Sequence, residues 1–180
     1  MDWSRDWHPV VRLPLAPAVL DLSSSPPDWG PDDATWTVGR YDEDRRAVYE
    51  QALFAGQRTV HMGIDIGGPV GTPVHACWDG VVESAVDLTE DGDYGPTVVL
   101  RHELEQTLWT LHGHLQRRSL EGLRPGGVVR RGEIIGWFGA ESENGGWPPH
   151  LHFQLSFEPP CAGDIPGNVS NLNFDGTLEK

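Results

Sequence analysis

The chain has 180 residues, of which 13 are basic and 27 acidic, for a formal net charge of −14 at pH 7. A surface so poor in cations cannot neutralise a phosphate backbone or dock on anionic lipid, which excludes nucleic acid and the membrane surface as partners. The single lysine, Lys180, excludes chemistry that needs an interior lysine, such as a Schiff base or a carrier lysine.

Glycine (22) and proline (15) are plentiful, as suits a turn-rich β chain and a poor helix former. Cys77 and Cys161 form no CxxC motif and read as unpaired thiols. No apolar run is long enough to span a membrane. Residues 9–20 are apolar, but Arg12 and prolines interrupt them and Asp2 and Asp6 precede them, unlike a secretory signal. With Met1 as the native start these features predict a cytoplasmic protein; with a start further upstream an extracytoplasmic place stays open.

In chain order, residues 1–57 read as an irregular, acidic extension. Trp3, Trp7, Trp29 and Trp36 suit a segment packed on a core rather than a free linker. One short helix is predicted over Asp42–Leu53. From Thr59 the texture becomes β, with short Val-, Ile- and Leu-rich segments between Gly and Pro turns. Strands are predicted over 59–66, 73–78, 80–86, 96–102, 107–114, 133–139 and 150–157. Residues 87–95 read as an acidic hairpin loop, and 140–149 as a loop leading into the last strand. The predicted fold is mainly β, an antiparallel sandwich or barrel-like sheet over 58–158, followed by an irregular tail over 159–180.

The histidines carry the chemical signal. Residues two or four apart on a strand share a face. His61 with Asp65, His112 with His114, and His150 with His152 are such pairs. If their strands are neighbours, the pairs converge. Imidazole and carboxylate converging in that way suit zinc, whose catalytic sites use three protein ligands and one open position. Further histidines beside it can move protons or stabilise an oxyanion. His75 and His102 have no matching role and read as structural, and His8 as a surface residue. Trp147 is a candidate for the groove wall. Asp87, Glu90, Asp91 and Asp93 do not have the oxygen spacing of an EF-hand and read as a solvated hairpin.

The run His61-Met-Gly-Ile-Asp65-Ile66, then Gly71-Thr-Pro-Val-His-Ala76 and Gly80-Val-Val82, resembles the first motif of the M23 (lysostaphin/LytM-type) zinc metallopeptidases. Leu111-His112-Gly113-His114-Leu115, Arg131-Gly-Glu-Ile-Ile-Gly136 and Pro149-His150-Leu151-His152-Phe153-Gln154 resemble their later motifs, in order. The resemblance implies that His61, Asp65 and His152 are zinc ligands and that His114 and His150 are the catalytic pair. It implies a LytM-type fold and an endopeptidase acting on a short peptide of the peptidoglycan type, glycine- or D-Ala-containing, or on a small cytosolic peptide. The Tyr41–Tyr49 segment and the Asn144–Pro149 loop are also similar to an M23-type module found fused to kinase-like and class III aminotransferase domains.

The chain departs from the family pattern where His112 replaces a usual Tyr, where Glu141–Pro149 replaces a short Gly-rich loop, and where Gln154 replaces a common Glu. Two other readings compete. One is a non-haem iron oxygenase with two histidines and a carboxylate, whose usual His-x-Asp spacing is not met here. The other is a non-catalytic zinc-binding module that regulates or binds a peptide, which would not require His114.

Overall fold

A computed structural model of the chain describes residues 1–14, 16–24, 27–28, 35–49, 58–161 and 163–170. The strands in chain order are β1 (Ala18–Val19), β2 (Thr37–Gly39), β3 (Glu43–Asp44), β4 (Arg58–His61), β5 (Ile64–Gly67), β6 (Pro73–His75) and β7 (Gly80–Leu88). There follow β8 (Gly95–His102), β9 (Leu108–Gly113), β10 (Val128–Val129), β11 (Ile134–Trp137), β12 (His150–Ser156) and β13 (Asn168–Ser170). A short 3-10 turn covers Arg117–Leu120.

Eight strands form one sheet in the order β1-β2-β5-β12-β9-β8-β7-β10, with β11-β6 and β13-β4-β3 as smaller sheets. Pairing is antiparallel except between β1 and β2. The large sheet is open: β1 and β10 lie at its two ends and do not pair with each other, so the barrel alternative is not adopted.

The segments β8 and β9 explain their own position. They are apolar almost without alternation, the pattern of strands buried on both faces. One face packs Val98, Leu100, Leu151 and Ile66 against Val74 and Ala76 of the β6 region and Ile135 and Phe138 of the β11 region. Burying each such side chain contributes roughly 1.5–3 kcal/mol. The opposite face carries a smaller cluster, Tyr94, Val99, Leu111 and Ile165. His61, His114, His150 and His152 converge on that second face.

Two sequence expectations are corrected. The segment 59–66 is two strands, because the chain turns a corner at Met62-Gly63 and passes from the three-stranded sheet to the large one. The helix expected from Asp42 is absent over 42–49, where β3 pairs with β4 through Glu43 opposite His61 and Asp44 opposite Val60. Long-range pairing there overrides local helix propensity. Residues 50–53 of that expectation, Trp29 and the tail beyond 170 lie outside the described residues. The extension joins the large sheet, β2 pairing with β5 through Thr37, Val38 and Gly39. Among the described residues no helix is long and apolar enough to cross a membrane.

Candidate active site

Strand register sets the centre of the site. Asp65 of β5 lies opposite His152 of β12, which lies opposite Gly113 of β9, so the three share one row on one face. His61 arrives from β4 across the corner. Gly63 makes that corner possible: a Cβ there would lie 2.5 Å from the His152 ring. Nδ1 of His152 stands 3.0 Å from Nε2 of His61 and 3.1 Å from Oδ1 of Asp65. Nε2 of His61 is 3.2 Å from the same Oδ1. Both imidazoles are buried.

The partners behind each ring assign its tautomer. His61 donates from Nδ1 to the Arg40 carbonyl at 2.8 Å. His152 donates from Nε2 to Oε1 of Gln154 at 3.1 Å, with the Tyr94 hydroxyl at 3.4 Å. Both inward nitrogens therefore carry lone pairs. Two lone pairs and a carboxylate oxygen meeting at this distance repel one another unless a cation lies among them. Ligands bound at ~2.0–2.1 Å around a tetrahedral ion stand about 3.4 Å apart, close to the separations observed. His61, Asp65 and His152 could thus hold a metal ion.

Asp65 is the electrostatic hinge of the group. Burial alone would raise its pKa, but its neighbours, His61 and then the Arg45 guanidinium, hold it well below the usual carboxylate range. Arg45 reaches Oδ2 of Asp65 through Nη1 at 2.5 Å.

His114 and His150 flank the triangle. Their ring centroids are 4.2 Å apart. His114 donates from Nδ1 to the Asn144 carbonyl at 2.7 Å, and His150 to the Pro148 carbonyl at 2.7 Å. That leaves each Nε2 with its lone pair, the one on His150 standing 3.8 Å from Oδ1 of Asp65. Burial, and then the proximity of His150, lowers the His114 pKa well below the ordinary histidine value. Burial lowers that of His150 too, against the pull of Asp65. Both are neutral and able to accept a proton.

His112 does not share this face. It lies opposite Val98 and Phe153, residues of the other face. His114 reaches the site only because its backbone turns into the left-handed region, φ 61°, just after β9 ends. Strand alternation stops there, so the two-residue spacing that predicted a common face does not apply. His102 is held by the Asp79 carbonyl and Thr110, and His75 by the Gly132 carbonyl, both remote from the triangle.

The site opens into a cavity of about 530 Å³. Leu20, Leu22 and Thr37 of the extension line it, as do Trp147, Pro148 and Pro149 of the last loop. Tyr49 meets Trp147 edge-on at 6.3 Å and joins the two walls. Tyr94, Arg45 and Arg40 escaped the sequence reading. Tyr94 sits in a segment whose acidity reads as a solvated loop, and nothing local links residues 40 and 45 to residue 65. Gln154 was visible only as a departure from a pattern. Its amide donates to the Pro166 carbonyl at 3.1 Å while its oxygen serves His152, which a carboxylate could not do.

Two imidazoles and a carboxylate in a buried triangle, with two neutral imidazoles beside an open groove, make the donor set of a mononuclear metallohydrolase. Residues 59–160 match Peptidase family M23, and the chain belongs to that family. It is 39% identical over 100 residues to peptidoglycan DD-endopeptidase ShyC of Vibrio cholerae, covering 56% of this chain and 21% of that protein. It is 33% identical over 94 residues to glycyl-glycine endopeptidase ALE-1 of Staphylococcus capitis, covering 52% of this chain and 24% of that one. The catalytic domain of lysostaphin from Staphylococcus simulans superposes with a TM-score of 0.46 at 27% identity, covering 64% of this chain and 79% of that domain. The chain thus spans between a fifth and a quarter of the length of these two curated relatives.

Proposed function

We propose that the protein is a zinc-dependent endopeptidase, with His61, Asp65 and His152 holding the ion and His114 and His150 handling protons. The observation that supports this best is the convergence of three lone-pair donors within 3.2 Å, backed by two neutral imidazoles whose free Nε2 atoms border the same groove. When bound, zinc supplies Lewis-acid activation of water and of the scissile carbonyl. The chain's own residues supply the rest. A neutral Nε2 on His114 or His150 accepts the proton that the attacking water gives up as the C–O bond forms. The protonated ring then donates to the leaving amine as the C–N bond breaks, so the proton taken from water ends on nitrogen. The carbonyls of Asn144 and Pro148 keep each Nδ1–H fixed, so neither ring needs to change tautomer before it reacts.

The groove favours a short, slender peptide. Its walls are tied together by Tyr49 and Trp147, and it is lined by Gly67, Gly68, Pro148 and Pro149. Glycine- or D-Ala-containing peptides, of peptidoglycan type or small and cytosolic, are the proposed substrates. Two relatives, a peptidoglycan DD-endopeptidase and a glycyl-glycine endopeptidase, agree with that class. A binding-only role would leave the paired Nε2 atoms of His114 and His150 without use.

The test is mass spectrometry of products after the zinc-loaded protein is incubated with muropeptides, oligoglycine and D-Ala peptides, beside His114→Ala. Cleavage by the parent and none by the variant is expected, and would name the bond. A parent that binds zinc stoichiometrically and cleaves nothing in the panel would overturn the proposed substrate class.

A further inference from the structure

Arg45 lies outside the stretch that matches the family, yet it touches the centre of the site. Its guanidinium reaches Asp65, Glu43 and the Arg40 carbonyl. Nη1 donates to Oδ2 of Asp65 at 2.5 Å, Nε to Oε2 of Glu43 at 2.9 Å, and Nη2 to the Arg40 carbonyl at 3.2 Å. Glu43 is anchored in turn by the Leu22 backbone N–H, at 3.1 Å from Oε1. The Arg40 carbonyl that receives Nη2 also receives Nδ1 of His61. Gly39 leaves room for this crossing, since a Cβ there would stand 2.7 Å from Nη2 of Arg45.

We propose that Arg45, braced by Glu43, is a positioning residue of the metal centre: it occupies Oδ2 of Asp65 so that this carboxylate can offer an ion only Oδ1. The inference rests on the metal-centre reading given above.

The physical case has two parts. The first is coordination. A carboxylate free at both oxygens can chelate through both and take the position that a catalytic site keeps for water. With Oδ2 engaged by a guanidinium, only Oδ1 faces the two imidazole nitrogens. The second is cost. The side chains of Arg45 and Glu43 are each 4% exposed, and a buried ion pair is weak value as stability, because desolvation offsets the attraction and an apolar pair often does as well. A buried Glu–Arg–Asp chain that ends on a would-be ligand is better explained by what it aims. The same short turn, Arg40 to Arg45, then governs two of the three ligands: one carbonyl sets the tautomer of His61, and one guanidinium sets the rotamer of Asp65.

The test uses the full chain, with Arg45→Met, Arg45→Lys and the double variant Glu43→Gln/Arg45→Met, which also removes the Glu43 charge that loss of Arg45 would leave unpaired. Zinc affinity is measured by competition with a chromophoric chelator, and coordination by the visible spectrum of the cobalt(II)-loaded protein. Arg45→Met and the double variant are expected to weaken zinc binding about 10–100-fold, the usual effect of losing an outer partner. Their cobalt spectra should move from the intense bands of four-coordination toward the weaker bands of higher coordination. Arg45→Lys keeps one charge and should recover part of both signals. A folded double variant with parental zinc affinity and an unchanged cobalt spectrum would overturn the positioning role alone. A parent chain that binds neither ion would overturn the metal-centre reading and this inference with it.

Discussion

His114 and His150 face each other with ring centroids 4.2 Å apart, each tied through Nδ1 to a backbone carbonyl, and neither belongs to the Asp65 triangle. In the proposed mechanism this separates the work of holding an ion from the work of moving protons. His114→Gln and His150→Gln should each lower kcat by ~10²–10⁴ while zinc affinity stays within a few-fold of the parent. Paired activity and chelator-competition measurements check this. A variant that loses zinc in proportion to activity would place its histidine among the ligands instead.

The triangle itself predicts a metal-dependent stability. An ion that binds only the folded chain, at a free concentration of 100 times its Kd, adds about 2.7 kcal/mol. Dialysis against chelator should therefore lower the thermal midpoint, and zinc should restore it. In Asp65→Asn the one charged donor of the three is gone, and the zinc-induced rise should vanish. Differential scanning calorimetry with and without zinc is sufficient.

Gly63→Ala tests the corner between β4 and β5. The added methyl would stand 2.5 Å from the His152 ring, against a neighbour held by Gln154 and Asp65. Overpacking of this kind costs roughly 1–3 kcal/mol. Urea unfolding should register that loss, and zinc affinity should fall as well, because the ring that must move is a proposed ligand. A variant with parental stability and affinity would mean that the corner has slack.

His112 gives a pH signature independent of any metal. Burial pulls its pKa down to about 3, and its Nε2 has no hydrogen-bond partner among the described residues. The unfolded chain takes up a proton near pH 6.5, whereas the folded chain does so only near pH 3. The stability from this group is whole above pH 6.5 and is lost as the pH falls toward 3. In His112→Phe that loss is absent. Between pH 7 and pH 4.5 the variant should lose roughly 2–3 kcal/mol less than the parent in urea titrations. Equal losses would sink this account.

Much of the site was legible because the face of a strand on which a side chain lies is a local consequence of residue pattern. Asp65 and His152 sit in apolar strands with a strict alternation, and their alignment follows once β5 and β12 pair. The family motifs supplied the pairing that periodicity could not. What stayed illegible depends on departures from regular backbone or on distant partners. The left-handed turn at His114 brings that ring to the groove and leaves His112 on the other face, although their spacing predicts a shared one. The Met62-Gly63 corner puts His61 in a different sheet from Asp65, although only three residues separate them. Glu43, Arg45 and Tyr94 look like ordinary members of charged segments, and only their long-range contacts give them a place. The residues of β3 carry a helical pattern, but pairing with β4 decides their conformation.

The pairing of β2 with β5 bears on how the protein may be divided. A fragment cut at residue 59, where the family match begins, would keep every motif histidine and lose the strand that covers β5. Its Ile64 and Ile66 would then lie on an open sheet edge, with unsatisfied N–H and C=O groups along it. Such an edge invites a second copy to add its own strand. The boundary drawn by homology is therefore an aggregation-prone one, and the solubility of the catalytic module is written in residues that precede it.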